Sequence, residues 1–167
     1  MRQARRVLCL LLLLSTASVV HGCGGDDEKD KKVKGQRSTA GDSGGAEDAV
    51  RGYLAALIDH DGAEACDRLA PEYQKSVLAQ NREFARQSGA KDCASLIDAV
   101  TKRSPRVTFE GQPLNDKTVD KIKLVVTVRL NGEEQNATVT GAQGLQRYEL
   151  RTQDDKWWIF EITQAGG

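Results

Sequence analysis

Few side chains in this sequence are equipped for chemistry, and the cysteines are the ones whose placement says most. The chain has four cysteines and two histidines. Cys9 lies inside an apolar run, Cys23 stands at the end of it, and Cys66 and Cys93 fall in the body of the chain. A thiol can be acylated, bridged, bound to a metal or used as a nucleophile, and its surroundings decide which. No Cys-x-x-Cys and no paired histidine accompany these four, so their spacing does not suggest a metal. His60 is the one histidine beyond the N-terminal run. A lone base without a partner is not a site. Asp59, Asp61 and Asp67 fall at the ends of expected helices, where a solvated cap is the simpler reading. No catalytic residue, metal ligand or cofactor motif is assigned.

The cysteine at position 23 reads differently. Arg2, Arg5 and Arg6 precede the apolar stretch of residues 7–20. That stretch has the length of a secretory core and is short for a membrane span, which needs about 20 apolar residues. Val20-His21-Gly22-Cys23 resembles the lipobox of bacterial lipoproteins, with Val20 and Gly22 at the aliphatic and small positions. The resemblance implies that residues 1–22 are a signal peptide and that Cys23 is lipidated. The chain would then be exported and held at the outer face of the cell membrane by two or more acyl chains, enough for stable anchoring. Residues 23–46 form the expected tether, rich in Gly, Ser, Asp and Lys, with Val33 its single large apolar residue. Such a composition cannot bury enough apolar surface to offset its ordering entropy. As a flexible coil it would span roughly 25 Å. Gly41-Asp42-Ser43-Gly44-Gly45 lacks the Gly-Lys-Ser/Thr ending of a phosphate loop.

Lys and Arg balance Asp and Glu over the whole chain, 24 against 24. From Glu47 onward there are nineteen acids and sixteen bases, with the signs interspersed. A mildly acidic domain of this kind is not expected to bind nucleic acid or to dock electrostatically on anionic lipid.

Residues 47–167 read as one α+β domain. Val50, Tyr53, Leu54, Leu57 and Ile58 recur at helical spacing over residues 47–60. A second helix is expected over 63–69 and a third from Pro71 toward Gly89. A fourth covers 91–102, with Cys93, Leu96, Ile97 and Val100 on one face. Cys66 and Cys93 thus lie on apolar faces of neighbouring helices. In an exported chain this even remainder points to a bridge, with two buried free thiols as the alternative.

From Arg106 the period becomes two. Strands are expected over 107–109, 119–130, 134–140, 145–152 and 156–163, with a type I′ hairpin at Asn131-Gly132. Tyr148 and Leu150 face inward. On the last strand Trp158, Phe160 and Ile162 are assigned to the inner face, and Trp157 and Ile159 to the outer one.

Helices first and strands second resemble the nuclear-transport-factor-2-like superfamily, and within it small actinobacterial lipoproteins with paired cysteines. The resembling parts are residues 49–69 with Cys66, the Cys93 helix, and Lys156-Trp157-Trp158-Ile159-Phe160. The resemblance implies a cone-shaped sheet wrapped on the helices; a cystatin-like sheet on a helix is the alternative fold. Within that superfamily the fold serves SnoaL-like and ketosteroid-isomerase-like enzymes, carriers and adaptors, so fold alone does not choose. Three functions stay open. The domain can be a non-catalytic module meeting a second copy or an envelope protein through Trp157 and Ile159. It can carry a small apolar ligand among Tyr53, Tyr148, Trp158 and Phe160. It can also be an enzyme, which would need a buried acid on the inner face.

Overall fold

The computed structural model describes residues 43–131 and 134–164. Cys9, Cys23, the apolar run and most of the expected tether lie outside them, as does Gly132 of the expected hairpin. Helix α1 spans Ser43–Ile58, four residues earlier than the expected start at Glu47. Gly45 and Ala46 are buried, so packing of small residues, and not acids in a first turn, sets this end. The chain leaves α1 through His60, which takes a left-handed conformation at φ 56°.

Asp61 then caps α2 (Gly62–Cys66), accepting the Glu64 N–H at 2.9 Å. Helix α3 (Pro71–Gln80) opens on its proline, whose missing N–H costs nothing in a first turn. The expected single helix is broken at Asn81, and α4 (Arg82–Ser88) follows as a separate piece. The Asn81 side-chain amide donates to the Val77 carbonyl at 2.8 Å, competing with the helical ladder. Gly89, at φ 75°, ends α4 in the left-handed conformation that glycine adopts freely. Helix α5 (Cys93–Arg103) starts with a reciprocal cap between Asp92 and Ser95. The Cys66–Cys93 disulfide joins α2 to α5 with Cα atoms 6.1 Å apart. Beside it Asp98 accepts the Gly62 N–H at 2.8 Å.

A two-residue hairpin, β1 (Thr108–Phe109) with β2 (Gln112–Pro113), comes next. The long strand expected from Val119 starts later. Val119–Lys121 is a 3₁₀ turn, and β3 runs over Leu124–Asn131. Arg51 of α1 explains the delay. Its guanidinium bonds the carbonyls of Val119 at 2.7 Å and Ile122 at 2.8 Å, while Glu47 holds it from behind at 2.5 Å. Carbonyls bound to a helix side chain are withdrawn from a ladder. Strands β4 (Glu134–Gly141), β5 (Gln146–Gln153) and β6 (Lys156–Gln164) complete an antiparallel sheet in the order β3-β4-β5-β6. The architecture is α+β, five helices and a four-stranded antiparallel sheet among the described residues.

Helix α1 lies on one face of this sheet. Val50, Tyr53 and Leu54 pack in one core with Ala137, Val139, Tyr148, Leu150, Trp157 and Ile159, joined by Cys66 and Cys93. The assignment of faces on β6 is therefore corrected. Trp157 and Ile159 are 3% and 0% exposed and belong to the inner face. Trp158 and Phe160 lie on the outer face. The cause is a β-bulge: Leu150 pairs with Ile159 but Glu149 pairs with Glu161, so Phe160 is an extra residue. Parity shifts there, and Ile162 still packs against the core. Alternation counted back from Ile162 alone inverts everything before the bulge.

Candidate functional site

The inner face of the sheet, where α1 and α3 meet it, gathers the polar groups that a core does not need. Tyr53 of α1 meets Tyr148 of β5 edge to face, ring centres 6.4 Å apart at 68°. Both phenols are buried, and loss of water holds both above the ordinary tyrosine range. For Tyr148 the neighbouring Tyr53, Tyr73 and the Glu110 carboxylate push the same way. Neutral phenols are the result at any physiological pH. Tyr73 of α3 reaches the same region, and its hydroxyl accepts the Ile162 N–H at 3.1 Å.

Glu110 has a structural task. Its carboxylate accepts the Gln143 N–H and the Leu145 N–H, each at 2.9 Å, and so closes the β4–β5 turn. Gly141 lies beneath it, and a Cβ there would collide with this carboxylate. Gln146 shares strand parity with Tyr148, and its side-chain Oε1 is buried with no hydrogen-bond partner among the described residues.

The other end of the inner face repeats the pattern. Gln135 of β4 is opposite Leu130 of β3. Its N–H donates to Thr152 Oγ1 at 2.9 Å, and Thr152 is paired with Trp157. One rung therefore runs Leu130, Gln135, Thr152, Trp157 across four strands. The Trp157 indole N–H and the Gln135 Oε1 are both buried without partners among the described residues. They stand two strands apart, about 10 Å along the backbone. Burying such a group unsatisfied costs about 1–3 kcal/mol.

Of the residues expected to line a ligand space, Tyr53 and Tyr148 come together on this face. Trp158 and Phe160 do not. Lys156 Nζ sits 4.1 Å from the Trp158 ring centre on the opposite face, and the Trp158 indole donates to the Gln153 carbonyl at 3.3 Å. Trp157 and Ile159, expected on an interaction surface, are core. Gln135, Gln146 and Thr152 were not singled out; they share strand parity with Ala137 and Tyr148, and that parity is the signal for them. Asp59 and His60 are exposed in the turn after α1. Asp61 caps α2, and Asp67 accepts Lys156 Nζ at 2.8 Å. Among the described residues no group of three or more His, Cys, Asp or Glu is placed to hold a metal ion. No described helix is long and apolar enough to cross a membrane.

No family model, no curated protein and no solved structure matches this chain.

Proposed function

We propose that this chain is an exported envelope lipoprotein, held to the membrane through Cys23, whose α+β domain is a non-catalytic binding module of nuclear-transport-factor-2-like type. Its ligand is a small neutral molecule with an apolar body and hydrogen-bonding ends, received on the inner face of the sheet. One observation carries this reading. Three buried polar groups on that face, Trp157 Nε1, Gln135 Oε1 and Gln146 Oε1, have no partner within the described residues. An elongated ligand that accepts one hydrogen bond and donates others relieves them, since Gln135 and Gln146 stand about 20 Å apart along the strands, and the phenols of Tyr53 and Tyr148 add neutral contacts between these ends. The acids of the helix ends are capped, paired or exposed away from this face, which favours binding over proton transfer. An enzyme would need a carboxylate here with its affinity for protons raised.

The outer face offers a second reading. Trp158 and Phe160 are half-buried there beside Lys156 and Arg151, a surface suited to a protein partner.

The ligand reading is tested by stripping. Full-length protein purified from its membrane is unfolded in guanidinium with the disulfide intact, dialysed and refolded. A ligand bound only to the native state stabilises it by about 2.7 kcal/mol at a hundredfold excess over Kd. The stripped protein melts lower than the untreated protein if the proposal is right. Identical melting curves contradict it. The anchor is tested separately: Cys23→Ala leaves an unprocessed precursor, and unchanged processing refutes lipidation.

A further inference from the structure

The two edges of the sheet are treated differently. On β6 outward backbone groups are satisfied at two residues. Ile159 donates to the Arg68 carbonyl and accepts from the Ala70 N–H, both at 2.9 Å, and Ile162 donates to the Tyr73 hydroxyl at 3.1 Å. Strand β3 forms the other edge, and no strand pairs with its far side among the described residues. It is eight residues long. It also carries two of the exposed large apolar side chains, Val125 at 56% and Leu130 at 75%. An open edge of this length and character is a template for another strand.

The direction of the free groups follows from the ladder. Gln135 turns its N–H toward β5, so by alternation the even positions of β4 face β3. Thr127 and Thr138 are then a hydrogen-bonded pair, and Leu124, Val126, Val128 and Leu130 present their N–H and C=O outward.

We infer that β3 pairs antiparallel with β3 of a second copy about a two-fold axis at Thr127, joining two four-stranded sheets into one. In this register Val126 lies opposite Val128 of the other copy, Leu124 opposite Leu130, and Val125 opposite Arg129. Leu130 gains the apolar neighbour it lacks. Arg129 is the only charged residue of β3, and it meets a valine, so no like charges oppose. The neighbouring registers are worse. An axis at Val126 sets Arg129 opposite Lys123, and an axis at Val128 runs Leu124 past the end of the other copy's β3 at Asn131. The inference is independent of the ligand reading.

The axis gives a sharp test. Thr127 opposes its own copy in a non-hydrogen-bonded pair with Cα atoms ~4.5 Å apart, within the span of a disulfide. Thr127→Cys and Val125→Cys variants of the full-length chain are oxidised with copper phenanthroline beside the parent, which accounts for Cys9 and Cys23. The expected result is several-fold more covalent dimer from Thr127→Cys than from Val125→Cys or the parent. Leu130→Lys, at an exposed position, is expected to keep the native circular dichroism spectrum and raise the dimer dissociation constant at least tenfold by sedimentation. Equal cross-linking of the two cysteine variants overturns the inference. So does a monomer at all concentrations, including one whose β3 amides are protected from exchange by another segment of the same chain.

Discussion

The guanidinium of Arg151 lies 4.6 Å from the ring centre of Phe160, on the face of the sheet opposite the core. Phe160 is the extra residue of the β6 bulge, between Ile159 paired to Leu150 and Glu161 paired to Glu149. The contact places one aromatic of the closing strand outside, and the bulge hands the inside to Trp157 and Ile159. Cations over both outer rings, Arg151 on Phe160 and Lys156 on Trp158, cover π-surface that would otherwise be bare.

The first prediction separates the two tryptophans. Trp157→Ala should cost about 3–5 kcal/mol, the usual loss for a large buried aromatic. Trp158→Ala should cost about 1 kcal/mol, since it removes one exposed-side stacking contact and little core. Guanidinium unfolding of each variant measures both. Equal losses would mean that the faces are not divided as described.

Much of this architecture was legible where one local rule governs a segment. Val50, Tyr53 and Leu54 share a helical face, and that face is the core stripe of α1. Tyr148 and Leu150 alternate on β5 without interruption and are both buried. The even cysteine remainder did join, Cys66 to Cys93. Where two rules compete, a pattern read from the chain fails. Period two cannot reveal a bulge, so Ile162 was placed correctly and Trp157 was not. Val119 looks like the start of a strand until Arg51 takes its carbonyl, a contact 68 positions away. Asn81 ends a helix that apolar spacing alone would continue. The orphaned amides of Gln135 and Gln146 were invisible because glutamine on a strand reads as a surface residue unless its parity is followed.

The second prediction concerns the bridge. Closing a loop with a sequence separation of 27 contributes about 3.5 kcal/mol on the chain-entropy model. Reduction of the disulfide, or Cys66→Ser with Cys93→Ser, should lower the unfolding free energy by that order. Chemical denaturation with and without reductant measures it. No change on reduction would mean that the link between α2 and α5 carries no stability.

A third prediction tests how the β6 edge is closed. Tyr73→Phe removes the hydroxyl that accepts the Ile162 N–H and should cost about 1 kcal/mol. The Ile162 amide should exchange faster with solvent deuterium, while the Ile159 amide, held by the Arg68 carbonyl, keeps its protection. Unchanged exchange at Ile162 would contradict the assigned role.

The fourth prediction is a pH dependence. Tyr53, Tyr73 and Tyr148 are each held above the ordinary value of 10.0 by burial. In the unfolded chain these phenols ionise near pH 10, while in the folded chain they stay neutral to higher pH. Their contribution is complete below about pH 10 and is lost as pH rises beyond it. Unfolding free energy should be flat with respect to these groups from pH 7 to 9 and fall above 10, and Tyr148→Phe should flatten that fall. An alkaline limb with the same slope in Tyr148→Phe and the parent would contradict the burial of this phenol.

Native mass spectrometry of full-length protein released gently from its membrane tests the central claim most directly. The account predicts a population carrying one additional small neutral mass, diminished when Gln146→Leu and Trp157→Phe remove two of the orphaned groups. The mass of the lipidated chain alone, from freshly prepared protein without those substitutions, would contradict a ligand on the inner face.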